Sequence, residues 1–384
     1  MTKLNLLIVG GGMYVSGRGT KGYGTILPSI FKLYEKNILD KLYVSVTNLN
    51  SANKTKKKFK LLFKDRYNNK KINFFPNNKN NFNYLEIAKL YKPNCAIICV
   101  PDHMHSKICI DLGNIGIHCL VVKPMCLKVS EASNMIKTFS KNKVYGAVEF
   151  HKRFDEANIY IKELIKKNKL GKLQYANITY SQKKIIPEKI FKLWSKDSNV
   201  FNYLGVHYVD LLIFLTDFKP TELIAYGQKD YLIKKNIDTY DSMQVLIKWK
   251  RNDSNSFIST HLTNWIDPNN SSAMSNQKIS IVGSLGRVDS DQKNRGLNIN
   301  LKEENTDVNP YFCSVLDFND DLQIFGYGIK SVIKFVENIY ELKLNKISLK
   351  QLNSNTPSLK NCLDTVKITE AVTKSLIYNK KIKI

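Results

Sequence analysis

Arginine is nearly missing from this 384-residue chain: six residues, at 18, 66, 153, 251, 287 and 295, against 53 lysines and 41 asparagines. Acidic residues are also few, 33 against 59 basic ones, which leaves a formal charge of +26. Surfaces built to grip nucleic acid cluster arginine forks on phosphates. Here lysine and asparagine are spread along the whole chain, as a drift toward AT-rich codons would spread them. The charge is therefore not read as a nucleic-acid footprint, although it should steer acidic ligands inward at long range. The seven cysteines form no C-x-x-C pair. No spacing supports a Cys/His metal site, and a chain this long with no secretory signal is not expected to carry a disulfide framework, so the thiols are expected to be reduced and structural. No apolar run approaches the roughly 18 residues needed to span a bilayer. The opening Met1-Thr2-Lys3-Leu4 makes no signal peptide, because Gly10-Gly11-Gly12 interrupts the apolar stretch. A cytoplasmic location is the expectation.

What is present is a chain long enough for two ordinary cores, 43% hydrophobic and 11% aromatic. Short, continuously apolar runs (Leu4–Val9, Leu42–Val46, Ile72–Phe75, Cys95–Val100, His118–Val122) alternate with helical patterns (Thr25–Lys36, Ser51–Arg66, Asn83–Leu90, His105–Leu112, Lys128–Asn142). This rhythm predicts a Rossmann-type, doubly wound parallel sheet over residues 1–125. After Val144–Phe150 the pattern becomes strand-rich, with helices near Phe154–Lys167, Asn202–Leu215 and Gly328–Leu342. Residues 126–384 are thus expected to form an α+β domain on a large, mainly antiparallel sheet. The boundary falls near Pro124, and a terminal helix at about 358–378 could pack back on the first domain. A sheet with helices on at most one face needs cover for the other, so a homodimer or homotetramer is expected.

The chemistry-bearing stretches lie at strand ends. Gly10-Gly11-Gly12-Met13-Tyr14-Val15 follows the first strand and reads as G-x-G-x-x-V. Gly10 would allow the tight turn, and Gly12 would let backbone approach a dinucleotide pyrophosphate at a helix N-terminus. After the second strand, Thr47-Asn48-Leu49-Asn50 carries no carboxylate for a ribose 2′-OH; Asn48 could serve instead. Lys54, Lys56, Lys57 and Lys58 could neutralise a 2′-phosphate or be a solvated helix face, so NADP is narrowly favoured over NAD. Pro101-Asp102-His103-Met104-His105, Val122-Lys123-Pro124 and Leu204-Gly205-Val206-His207-Tyr208-Val209-Asp210 complete the set.

Together these stretches resemble the glucose–fructose oxidoreductase / inositol dehydrogenase (Gfo/Idh/MocA) family, and the likeness extends through Phe150-His151-Lys152-Arg153-Phe154, Leu170-Gly171-Lys172 and Ser375. The resemblance implies an NAD(P)-dependent dehydrogenase of a sugar, polyol or sugar nucleotide. It implies cofactor contacts at Gly10, Gly12, Met13, Tyr14, Asn48, Pro101, Asp102, His105 and Lys123. It further implies Lys123, His207 and Tyr203 as catalytic residues, and Arg153, Tyr203, His207 and Asp210 as substrate contacts. A desolvated Lys123 would exchange protons near neutrality, and the His207 imidazole could relay them. On a regular helix Tyr203, His207 and Asp210 share one face at i, i+4 and i+7. Two positions depart from the family pattern: Val122 replaces the Glu of E-K-P, and Tyr203 replaces an Asp. They leave open a redox-silent nucleotide sensor as the alternative.

Overall fold

The structure, a computed structural model, describes residues 3–192, 195–253, 255–301, 304–318 and 321–384. The chain divides into two compact units. The first contains residues through Cys126, Ser130–His151 and Phe312–Leu363; the second contains Leu127–Val129, Lys152–Tyr311 and Asp364–Ile384.

In the first unit the order is β1 (Leu4–Val9), α1 (Met13–Ser16), α2 (Ile26–Glu35), β2 (Leu39–Ser45), α3 (Leu49–Phe63), β3 (Lys71–Phe75), α4 (Tyr84–Tyr91), β4 (Cys95–Ile98), α5 (His105–Asn114), β5 (His118–Val122), α6 (Val129–Lys141) and β6 (Gly146–Glu149). Among the described residues these strands form a six-stranded sheet, ordered β3-β2-β1-β4-β5-β6 and parallel throughout. All four residues of β4 are buried, as a strand covered on both faces requires. Helix α3 buries Ala52, Thr55, Phe59, Leu62 and Phe63, spaced as one helical face. Lys54, Lys56 and Lys57 are exposed, so they form a solvated face.

The second unit begins with α7 (Glu156–Lys166) and β7 (Leu173–Lys183). A π-helical turn at Phe201–Gly205 leads into α8 (Val206–Leu215). Then come β8 (Lys219–Gln228), β9 (Ser242–Lys250), β10 (Ser256–Asp267), β11 (Ser275–Gly283), β12 (Arg287–Asp291), and a hairpin of β13 (Leu297–Leu301) and β14 (Glu304–Val308). The chain re-enters the first unit with a hairpin of β15 (Ser314–Phe318) and β16 (Asp321–Phe325), then α9 (Tyr327–Lys343) and α10 (Leu349–Asn355). It closes in the second unit with α11 (Leu363–Tyr378) and β17 (Ile382–Lys383). The large sheet runs β12-β11-β7-β10-β9-β8-β17, with β7 and β10 parallel and the other neighbours antiparallel.

A single boundary near Pro124 therefore does not describe the chain. Helix α9 is amphipathic, but amphipathicity does not say which core it covers. Val332, Phe335, Val336 and Ile339 enter the core of the first unit. The terminal helix stays with the second: Ala225 N–H donates to Ser375 Oγ at 3.0 Å.

Phe59 is fully buried, stacked on Phe63 at 6.1 Å and edge-on to Phe74 at 5.3 Å. Truncating it leaves a cavity that this aromatic cluster can only partly fill. Phe59→Ala should destabilise the first unit by about 3–5 kcal/mol. Urea denaturation followed by tyrosine fluorescence should place its midpoint well below that of the parent.

Candidate active site

In an open parallel sheet, ligands bind beyond the carboxyl ends of the strands, where the strand order reverses. Here that point lies between β1 and β4. Beyond β1, Gly10 has φ +117°, and a Cβ there would sit 2.0 Å from the Cys99 carbonyl oxygen. Any side chain would split β1 from the β4 turn. Gly12 is different: a Cβ would meet nothing within 4 Å, and the residue caps the N-terminus of α1. A bare, open backbone at a helix start suits an anionic group such as a pyrophosphate. The helix itself is one turn long and ends at Gly17 in the left-handed region. The following glycine-rich loop is tied to α3, because Lys58 Nζ donates to the carbonyls of Thr20 and Gly22 at 3.2 and 2.8 Å.

Asn48 caps α3, its side-chain oxygen accepting from Ser51 N–H at 2.9 Å. The cap fixes the Asn48 side chain at the start of α3. Arg18 Nη1 donates to Ser51 Oγ at 3.3 Å, which brings a guanidinium to this strand end.

Beyond β4, Asp102 is buried, and His105 is fully so. The His105 ring nitrogens lie 2.6 Å from the Pro124 carbonyl and 2.9 Å from the Val100 carbonyl. His105 thus braces the two turns that flank Lys123 rather than standing open to a cofactor. Burial lowers its pKa, and Lys123 adds to the effect against Asp102 and the two carbonyls.

Lys123 directly follows β5 and is half-buried. Burial pulls its pKa down to about 8, while Asp102 and Glu149 push it up. Cys99 lies nearby, but burial drives that thiol up to about 12, so it carries no charge at neutral pH. Two carboxylates therefore set the charge felt by the lysine.

Glu149 was not among the residues expected at the site. It ends β6 and pairs in register with Val122, the position without a carboxylate. Its side chain accepts from Ser331 Oγ at 2.5 Å and lies 3.3 Å from His151 Nδ1. Tyr14 Oη stands 3.5 Å from that same nitrogen and also bonds the carboxylate. Burial would raise the Glu149 pKa, but His151, Ser331 and Tyr14 outweigh it and hold the carboxyl below its ordinary value. The sequence signal was a carboxylate closing an apolar strand; its place beside Lys123 comes from the register alone.

In the second unit, a π turn at Phe201–Gly205 carries Tyr203, and α8 carries His207 and Asp210. The Tyr203 ring packs on Phe191 at 4.8 Å and Trp265 at 5.8 Å. His207 is buried with its ring 6.0 Å from that of Tyr180. Asp210, fully buried, receives a bidentate pair from Arg153: Nε to Oδ2 at 2.8 Å and Nη2 to Oδ1 at 2.6 Å. Arg153 and Asp210, expected as separate substrate contacts, hold each other, and the pair pins the chain after β6 to α8. Among the described residues, no group of three His, Cys, Asp or Glu side chains could hold a metal ion.

A family model described as "Oxidoreductase family, NAD-binding Rossmann fold" matches residues 44–150, and one described as "GFO/IDH/MocA C-terminal domain" matches residues 159–289. The two together span more than half of the chain. The chain belongs to the Gfo/Idh/MocA family. It is 23% identical over 150 residues to a putative oxidoreductase, YteT, of Bacillus subtilis (strain 168), covering 38% of this chain and 35% of that protein. It is 23% identical over 158 residues to inositol 2-dehydrogenase of Rhizobium meliloti (strain 1021), covering 40% of this chain and 46% of that one. The match thus spans less than half the length of these curated relatives. Among solved structures, an inositol dehydrogenase homolog from Azotobacter vinelandii, complexed with NADH and myo-inositol, superposes with a TM-score of 0.73 at 11% identity. That match covers 100% of this Gfo/Idh/MocA chain and 98% of the other. Scyllo-inositol dehydrogenase from Lactobacillus casei, with NAD(H) and scyllo-inositol, gives 0.70 at 12% identity, covering 100% and 99%. At these identities the structural likeness speaks for the fold.

The two glycines make opposite predictions. Gly12→Val should fold normally, with an unchanged melting temperature, and lose dinucleotide binding in a fluorescence titration with NADH and NADPH. Gly10→Val should melt lower, because its side chain collides with the Cys99 carbonyl.

Proposed function

We propose that the chain is an NAD(P)-dependent oxidoreductase moving a hydride between a nicotinamide and a secondary alcohol or ketone of a sugar, polyol or sugar nucleotide. The observation that carries this reading is Lys123: an amine at a parallel strand end, on the ligand-binding side of the sheet, with a pKa near 8. Such a group is partly neutral near pH 7.5 and can take a proton from a hydroxyl or return it to a ketone. The open backbone at Gly12 fits the cofactor, whose nicotinamide supplies the hydride chemistry. The dehydrogenase names among the relatives favour a polyol-like substrate.

Residues through Cys126 serve as the dinucleotide-binding part in this reading, and the large-sheet unit serves substrate binding and assembly. Met13, Tyr14, Pro101 and Asp102 contact the cofactor alongside Gly10 and Gly12. NADP is favoured over NAD because Arg18 reaches Ser51 at the end of β2, where a 2′-phosphate needs a cation. His207 is the second proton-handling group in this reading, and Tyr203 replaces the Asp of the family pattern. A cytoplasmic location belongs to the same proposal; among the described residues no helix is long and apolar enough to cross a membrane.

The test is a nicotinamide absorbance assay against polyols, aldoses and nucleotide sugars with both cofactors. Lys123→Ala and His207→Ala should each lose about 10²–10⁴-fold in turnover. The double variant should be little worse than the worse single one. Tyr203→Phe should also lose turnover if its hydroxyl has taken over from the carboxylate. Wild-type turnover in both alanine variants would favour the sensor alternative.

Assembly rests on the large sheet. By register, Tyr175, Ile258, Leu246 and Tyr226 point to one face, and all are exposed. The opposite face buries Met243, Val245, Ile247 and Trp249. We propose that the apolar outer face pairs with its copy in a homodimer or homotetramer. Light scattering should give a multiple of 44.2 kDa for the parent. Leu246→Asp combined with Ile258→Asp should return it to one chain mass.

A further inference from the structure

The Glu149 carboxylate is the meeting point of elements far apart in sequence: β6, the Tyr14 turn after β1, His151 beyond β6, and Ser331 on α9. It is almost fully buried. A buried carboxylate stays charged only when donors surround it. Ser331, His151 and Tyr14 are those donors, and Tyr14 remains a protonated donor because burial, with Glu149 beside it, raises its own pKa well above the usual value. The charge so maintained acts on Lys123 at the neighbouring strand end. The lysine also faces Asp102 and Cys99 from the β4 turn and His105 from α5. Asp102 and Glu149 are the carboxylates in that set.

We infer that Glu149 is the positioning residue of this site: three donors from separate elements hold its carboxylate at the end of β6, where it supplies the negative charge that position 122 lacks and sets the charge state of Lys123. The inference rests on the reading of Lys123 as the proton-handling group. It also links the cofactor turn to the lysine, since Tyr14 lies two residues beyond Gly12 and donates to the same carboxylate. The sign follows from electrostatics: a nearby negative charge favours the ammonium form, so its removal favours the neutral amine.

The full-length protein, without substrate, is labelled with acetic anhydride across a pH series, and acetylation of Lys123 is followed by mass spectrometry. Glu149→Gln should move the Lys123 labelling midpoint to lower pH by about 1, a tenfold rise in neutral amine at a given pH. Glu149→Asp should restore most of it. In turnover assays the pH limb belonging to Lys123 should move the same way, whichever direction the reaction runs. Should Glu149→Gln fail to fold, Ser331→Ala, which removes one donor, should give a smaller shift of the same sign. An unmoved midpoint in a folded Glu149→Gln or Ser331→Ala protein overturns the inference, even where Lys123→Ala is inactive. Wild-type turnover in Lys123→Ala overturns instead the reading beneath it.

Discussion

An amine taken out of water must either lose its proton or be given negative charge, and the first unit is arranged around that requirement at Lys123. Burial favours the neutral form, and Asp102 and Glu149 oppose it from the ends of the two flanking strands. Each carboxylate in turn needs its own support. Asp102 sits in a turn braced by His105 against the Val100 and Pro124 carbonyls. Glu149 is fixed by the β5–β6 register and by a hydroxyl from α9. The sheet order, the turn glycines and the return of the chain through α9 all serve to bring these groups together. The balance they strike leaves the lysine titratable near neutral pH.

The scarcity of arginine sharpens where the chain keeps it. Arg153 forks onto Asp210 and Arg295 onto Asp155, both carboxylates fully buried. Arg287 makes a similar fork at the surface to Asp289, whereas both Arg251 nitrogens donate to one oxygen of Asp253. Lysine, a point charge on a flexible stem, can replace arginine where only charge matters. It cannot replace a planar fork that satisfies both oxygens of a carboxylate in a dry site. The two buried pairs bear this out most directly, since an unpaired charge there would be costly.

Much of the fold was legible because its signals are local. The strands of the first sheet are continuous apolar runs, and Leu4–Val9 and His118–Val122 coincide with the observed β1 and β5. The glycine turn was readable from its place directly after the first strand. What escaped was non-local. Glu149 belongs with Lys123 only through strand register, which no spacing along the chain reveals. The π turn that carries Tyr203 is equally invisible to a search for a 3.6-residue period. The pairing of Arg153 with Asp210 escaped for the same reason, since residue type does not say which carboxylate is already paired. Helix α9 had a visible apolar face, but its amphipathic pattern does not name the core that receives it.

That last feature has a bearing on biosynthesis. Val332, Phe335, Val336, Ile339 and Leu352 belong to the same buried cluster as Leu4, Leu6 and Ile8. A ribosome releases the parallel sheet long before it releases these residues, so the nascent sheet emerges with one part of its surface bare. Its folding cannot be completed as an early, independent event, and closure must wait for contacts more than three hundred residues apart in sequence. Until then the exposed apolar surface is a natural target for holding chaperones. A fragment ending near residue 150 would carry that unfinished surface permanently.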